Sequence, residues 1–128
     1  MIDPSRNGDL DRSEVYHLLG NRRRLLVIGY LSLFDTGAII EVRHIARVVR
    51  SIETGIPPRQ IDTKKYESAY NSLIQTHLSK LEDGGLIEYD ERSKEIVATQ
   101  QLKKYAFIIY LTDILALFNR PLPEKTEE

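Results

Sequence analysis

The chain contains no cysteine. Disulfides, thiolate metal sites and cysteine nucleophiles are therefore excluded. Net charge is also nearly absent, since 18 basic residues against 19 acidic ones leave −1, so bulk charge does not argue for nucleic acid. The N-terminal segment Met1 to Asp11 is polar and acidic, with Pro4 and Gly8, and has neither the apolar core of a signal peptide nor the basic character of a transit peptide. No glycine-rich phosphate loop is present, and no Ser/His/Asp spacing rises above chance. His17, His44 and His77 fall in three separate helical patterns without the paired spacing of a metal site. With no nucleophile, base or cofactor loop to name, the expectation is a protein that is not an enzyme, with no metal and no cofactor. The sequence does not reveal a small-molecule effector.

A charged fraction of 29% and a hydrophobic fraction of 41% are ordinary for a soluble globular protein. At 128 residues there is room for one domain with a real core. The missing cysteines fit a cytoplasmic location. The distribution of charge says more than its sum. From Arg22 to Lys65 nine basic residues face four acidic ones, a local +5 against −6 in the flanks. A neutral total can hide one basic face, which is the electrostatic footprint of a nucleic-acid binder.

The most organised stretch runs from Tyr66 to Ile87. Ala69/Tyr70, Leu73/Ile74, His77/Leu78 and Leu81 recur at helical spacing and predict a buried face. Ser68, Asn71, Ser72, Gln75 and Ser79 lie opposite, small or hydrogen-bonding and uncharged. Gly84-Gly85 stops the helix, because glycine reaches the left-handed conformation cheaply. Leu86 to Tyr89 then alternates as a strand. A polar-faced helix running through a glycine stop into a strand has the shape of a recognition helix entering a wing.

Ahead of it, Ser13 is read as the N-cap of a short helix that Gly20-Asn21 breaks. A longer helix starts at Arg22 and ends at the turn Asp35-Thr36-Gly37, and Ala38 to Ile40 suits an edge strand. The triplet Arg22, Arg23 and Arg24 sits at a helix start, where the macrodipole disfavours cations by roughly 0.3–1 kcal/mol each. Either acidic neighbours or the phosphates of a bound duplex must offset that cost. The helix from Glu41 to about Ile52 turns Val42, Ile45, Ala46 and Val49 to the core and raises Arg43, Arg47 and Arg50 as a stripe on another face. The connection from Thr54 to about Lys64 is broken by Gly55 and Pro57-Pro58, is long for a helix-turn-helix, and is basic through Arg59, Lys64 and Lys65. Asp62 or Thr63 can cap the recognition helix.

Strands at Leu86 to Tyr89 and Glu95 to Thr99 form a hairpin whose tip carries Arg92 and Lys94 beside Asp90 and Glu91. The tip is either solvated or laid over a minor groove. The last helix, about Gln100 to Asn119, is apolar nearly all round. A membrane span needs about 20 apolar residues; this run is shorter and holds Asp113, so no membrane partner is expected. One side of this helix should cover the domain's first helix, and the other should meet a second copy of the chain. Tyr105, Ile108, Ile109, Leu111, Leu115 and Phe118 are the candidate dimer contacts. The seven tyrosines suit core and interface packing.

The segment Thr76 to Tyr89 resembles the helix-to-wing segment of ArsR- and MarR-type prokaryotic regulators, in which a leucine-rich recognition helix ends in glycine, then leucine, before the wing. Leu18-Leu19-Gly20-Asn21-Arg22-Arg23-Arg24, His77-Leu78-Ser79-Lys80-Leu81, Gly85 and Tyr89-Asp90 make the chain more closely similar to a family of small winged-helix proteins common in halophilic archaea and their viruses. The likeness covers about residues 13 to 99, and the chain departs from high-salt adaptation by being near neutral. Without cysteines, metal sensing does not carry over.

The order of elements, together with the resemblance over residues 13 to 99, predicts a mainly α protein with a small β-hairpin wing, a winged helix-turn-helix with an extra C-terminal helix. Its expected organisation is a flexible tail over 1–12, the winged domain over 13–99, a dimerisation helix over 100–119 and a disordered tail over 120–128. The implied function is a homodimeric, sequence-specific regulator binding double-stranded DNA. Ser68, Asn71, Ser72, Gln75 and Thr76 would meet base edges. Arg22, Arg23, Arg24, Arg43, Arg47, Arg50, Lys64, Lys65, Ser79 and Lys80 would hold phosphates, with Arg92 and Lys94 on the wing. The alternative is a winged-helix module that binds a protein of the transcription machinery.

Overall fold

A computed structural model describes residues 12–119; the tails expected over 1–11 and 120–128 lie outside the described residues. Helix α1 (Arg12–Leu19) begins one residue before Ser13, which therefore sits in its first turn and not at its cap. Asn21 caps helix α2 (Arg22–Leu31), its side chain accepting from Arg24 N at 3.1 Å. Arg24, Val27, Ile28 and Leu31 form the buried stripe of α2. The helix stops at Leu31, short of the Asp35 turn, and the intervening residues make separate turns.

Strand β1 (Ile39–Glu41) leads directly into helix α3 (Val42–Thr54), which buries Val42, Ile45, Ala46, Val48 and Val49. Gly55 ends α3 at φ +76°, a left-handed cap that an L side chain would strain. The connection that follows, eight residues from 55 to 62, is longer than a helix-turn-helix turn but structured. It forms a 3-10 turn at Pro58–Gln60, and Ile61 is 2% exposed in the core. Asp62 accepts from Lys65 N at 2.9 Å and caps helix α4 (Thr63–Ser72), so the reading helix starts three residues before Tyr66.

The long helix is not uniform. A π-helical turn, Leu73–His77, separates α4 from α5 (Leu78–Asp83), and Leu78 N donates to Leu73 O. The sequence spacing explains it. Ala69, Leu73, His77 and Leu81 are all buried and fall every four residues, whereas an α-helix turns once per about 3.6 residues and would let that stripe drift by about 40° per step. A wider i→i+5 turn takes up the drift and keeps the stripe on the core.

The glycine stop behaves as expected. Leu86 N donates to Leu81 O and Gly85 N to Glu82 O, with Gly85 at φ +80° and both leucines fully buried, which is a Schellman closure. Strands β2 (Ile87–Asp90) and β3 (Glu95–Ala98) form the hairpin, and β3 also pairs β1, giving an antiparallel sheet in the order β1-β3-β2. Thr99 then ties the hairpin to helix α6 (Gln100–Asn119): its hydroxyl donates to Gly85 O at 2.7 Å and accepts from Leu102 N.

Helix α6 rests on α2, with Leu102 and Tyr105 in the core and Lys103 Nζ donating to Ser32 O at 3.5 Å. After Tyr105, Ala106 and Ile109 still pack against the core, and most residues from there to Asn119 are exposed. The architecture is mainly helical with a small hairpin wing and an extra C-terminal helix, a winged helix-turn-helix. Among the described residues no helix is long and apolar enough to cross a membrane.

Candidate nucleic-acid interface

Helices α3 and α4 are the most extensively packed pair of elements in the fold, and the side chains left over at their junction define one surface. Between them opens a cleft of about 560 Å³ lined by Arg43, Thr63, Lys64, Tyr66, Glu67, Tyr70 and Asn71. Arg43, Lys64 and Lys65 are exposed, as are Ser68, Asn71, Gln75 and Thr76 along the outward side of α4 and the π turn; Ser72 is half-buried. The polar residues picked from the sequence as base contacts thus share a helix flanked by free cations. Glu67 is the one acid in the cleft lining.

Arg47 stands behind this face. Its guanidinium carbon lies 5.4 Å from the centroid of the Tyr66 ring, a cation–π contact, and its Nε is buried without a hydrogen-bond partner. Tyr66 is itself 4% exposed and leans on Tyr70 at 6.4 Å between centroids. The contact fixes the direction of a long side chain that would otherwise be free.

Several cations proposed as phosphate contacts are turned inward instead. Arg23 donates to both oxygens of Glu53, at 2.7 and 3.0 Å, and Arg50 donates to the same carboxylate at 2.8 Å. Arg50 also donates to Lys65 O at 3.2 Å. Arg23 above all, and Arg50 with it, holds the Glu53 carboxyl below the usual carboxylate range against the opposing effect of burial. Two arginines of the expected basic stripe and triplet are therefore tied to one carboxylate within the fold.

Arg24 departs further from the expectation. It is 5% exposed, and donates to Leu18 O and His17 O, each at 2.8 Å, and to Nδ1 of His77 at 3.2 Å. It closes the C-terminus of α1, whose carbonyls carry the negative end of the helix dipole. That contact offsets the cost of an arginine in the first turn of α2, and it leaves no guanidinium for a phosphate. Lys80 is half-buried with Nζ 3.1 Å from His17 Nε2, which directs it to α1 and away from the reading face. Arg22 and Ser79 are exposed.

On the wing, Arg92 is exposed, but Lys94 is a turn residue at φ +58° whose ammonium donates to Glu91 O at 2.7 Å. Asp90 accepts from the backbone N–H groups of Arg92 and Ser93, bonds that lower its pKa and shape the tip. The pairing register aligns Glu41, Glu95 and Asp90 across the sheet, and Glu88 beside Val97 and Ile39. The outer face of the sheet is therefore acidic.

A family model described as a domain of unknown function (DUF7344) matches residues 16–97. The chain belongs to that family. The match runs from α1 to β3 and so takes in the whole α3–α4 surface, while α6 falls outside it. No curated protein and no solved structure matches the chain. Among the described residues, no group of three or more His, Cys, Asp or Glu side chains could hold a metal ion.

Of the candidate dimer contacts, Tyr105 is 4% exposed in the monomer core and Ile109 packs against that core, so Tyr105 leaves the set. Ile108, Leu111, Leu115 and Phe118 are exposed, at 43%, 41%, 57% and 82%, and Phe107, Tyr110 and Leu117 join them. Tyr16, 66% exposed, is likewise not a core residue. Glu53, which gathers two arginines, was missed as an organiser. The Arg50 pairing was legible as an i,i+3 spacing, whereas Arg23 lies thirty positions away.

Proposed function

We propose that this protein is a sequence-specific, double-stranded-DNA-binding regulator of transcription that acts as a homodimer in the cytoplasm. One observation carries the reading: the cleft in which Arg43 and Lys64 meet Asn71, at the edge of a helix that presents Ser68, Gln75 and Thr76 outward. An uncharged hydrogen-bonding helix can enter a major groove, where Asn and Gln pair bidentately with adenine. The flanking cations hold phosphates and set register without reading sequence. With Arg23, Arg24, Arg50 and Lys80 engaged internally, the phosphate anchors reduce to Arg22, Arg43, Arg47, Lys64 and Lys65, with Ser79 beside them.

The exposed apolar residues of α6 support the dimer. Seven large hydrophobic side chains from Phe107 to Phe118 stand in solvent on a single helix, an arrangement that marks an interaction surface. A two-fold dimer places two reading helices on half-sites about one helical turn apart.

The test is a band-shift titration with random duplex at rising salt. Counterion release through about five phosphate contacts per chain makes affinity fall steeply between low and moderate salt. A protein that shifts no duplex even at low salt is not a DNA-binding protein. The acidic outer face of the sheet favours a second reading, a module that binds a protein of the transcription machinery: phosphate is repelled by Glu41, Glu88, Asp90 and Glu95, and a basic protein surface is not.

A further inference from the structure

The bond between Arg24 and His77 joins three elements at one point. Arg24 extends from the first turn of α2, takes the last carbonyls of α1, and reaches His77, the closing residue of the π turn. Both side chains are 5% exposed, so neither has water as an alternative partner of any extent. Arginine has donors and no acceptor, which requires His77 to present an unprotonated Nδ1. A bond of this kind, buried and charge-assisted, resists displacement of the ring.

The π turn beside it decides how the two halves of the reading helix are rotated against each other. Ser68 and Asn71 precede the turn, and Gln75 and Thr76 lie within it. Reverting to α geometry winds the same residues more tightly and adds about one residue's worth of rotation, about 100° by the 3.6-residue repeat. Leu78 and Leu81 are fully buried and hold α5 in place, so such a change swings Ser68 and Asn71 relative to Gln75 and Thr76.

We propose that Arg24 and His77 are positioning residues for sequence recognition: their hydrogen bond locks the π turn and so sets which bases Gln75 and Thr76 meet relative to Ser68 and Asn71. This rests on the DNA-binding function proposed above. The two residues touch no DNA. They act through the helix whose winding they hold, which distinguishes their role from that of the phosphate anchors.

The discriminating pair of variants is His77→Asn, whose side-chain oxygen can take the place of Nδ1 as acceptor, and His77→Leu, which offers none. Two measurements apply to each full-length variant: amide hydrogen exchange over Leu73 to Leu78, and selection of bound sequences from a random duplex pool. His77→Leu is expected to exchange faster over Leu73 to Leu78, because the unlocked turn passes between π and α winding and Leu78 N changes its acceptor. It is also expected to lower preference for the wild-type site by about tenfold or more, the scale of one bidentate base contact, with affinity for random duplex held within about twofold because phosphate contacts are untouched. His77→Asn is expected to restore both. A His77→Leu protein that keeps wild-type exchange and selects the wild-type site overturns the proposal, as does a His77→Asn protein that behaves like His77→Leu. Should His77→Leu fail to fold, Arg24→Lys, with too few donors in the right plane for three acceptors, is read by the same two outcomes. Failure of the wild type to shift any duplex overturns the DNA-binding function instead, and is recognised before any variant is compared.

Discussion

Glu53 accepts both hydrogen bonds of the Arg23 guanidinium fork, at 2.7 and 3.0 Å, from a helix thirty positions further along the chain. With Arg50 on the same carboxylate, this ion triad ties α2 to α3, and Arg50 carries it on to Lys65 O at the start of α4. Glu53→Gln therefore moves two properties in opposite directions. Stability should fall by about 1–2 kcal/mol, the scale of charge-assisted bonds discounted for partial exposure. Affinity for random duplex at low salt should rise, with a salt slope steeper by roughly one to two contacts, because two guanidiniums are released. Urea denaturation and a salt titration of binding check the two halves, and an unchanged salt slope would show that the freed arginines do not reach phosphate.

Acid should destabilise the protein in two stages. Burial first, then the cations Arg24, Arg23 and Lys80, hold the His77 imidazole below its ordinary value. Above about pH 6.5 the ring is neutral in both folded and unfolded chains. As pH falls below that, the unfolded chain takes up the proton first, so stability declines from there down to the folded pKa. Glu53 has the opposite arrangement of charge but the same sign of effect. Its folded pKa is depressed, so its contribution is complete above about pH 4.3 and is lost as pH falls through the folded value. The urea midpoint measured at steps from about pH 8 to pH 3 should show both declines, and His77→Asn should abolish the first.

Arg47→Ala and Gln75→Ala should separate anchoring from reading. The first removes a cation held over Tyr66 and should weaken all duplexes about equally. The second removes an exposed amide and should relax preference at one position by on the order of 1–3 kcal/mol while sparing non-specific affinity. Competition between a selected site and random duplex measures both. An Arg47→Ala protein with undiminished non-specific affinity would place α3 away from phosphate.

On α6, Leu115→Lys and Tyr105→Ala should fail differently. Leu115 is 57% exposed, so a lysine there should leave a folded monomer. Tyr105 is 4% exposed, and its truncation should cost about 3–5 kcal/mol, as for other large core aromatics. Sedimentation and thermal unfolding distinguish the two, and a wild type that sediments as a monomer would remove the dimer.

The elements of this fold were legible in the sequence because each is set by local chemistry. Val42, Ile45, Ala46 and Val49 mark the core face of α3 by spacing, and Gly84-Gly85 ends the long helix by backbone freedom. The hairpin follows from two short alternating runs around a polar turn. The start of α4 was legible as well, since Asp62, one of the two residues read as its cap, accepts from Lys65 N.

The order of helices and strands, and the face that most of them turn inward, are written in local periodicity. Periodicity is a property of neighbouring residues and needs no knowledge of the partner. Which arginines remain free was decided only by the tertiary structure. Arg22, Arg23 and Arg24 are equivalent as text, yet one is exposed, one is bound to Glu53 and one is buried against α1 and His77. The π turn has the same origin. A four-residue stripe is ambiguous to within the drift of a helix, and only the packed fold, which buries Leu73, His77 and Leu81 alike, selects the wider winding. A guanidinium's role depends on the acceptors that long-range packing brings within about 3 Å, and those acceptors are contributed by residues far away in the chain.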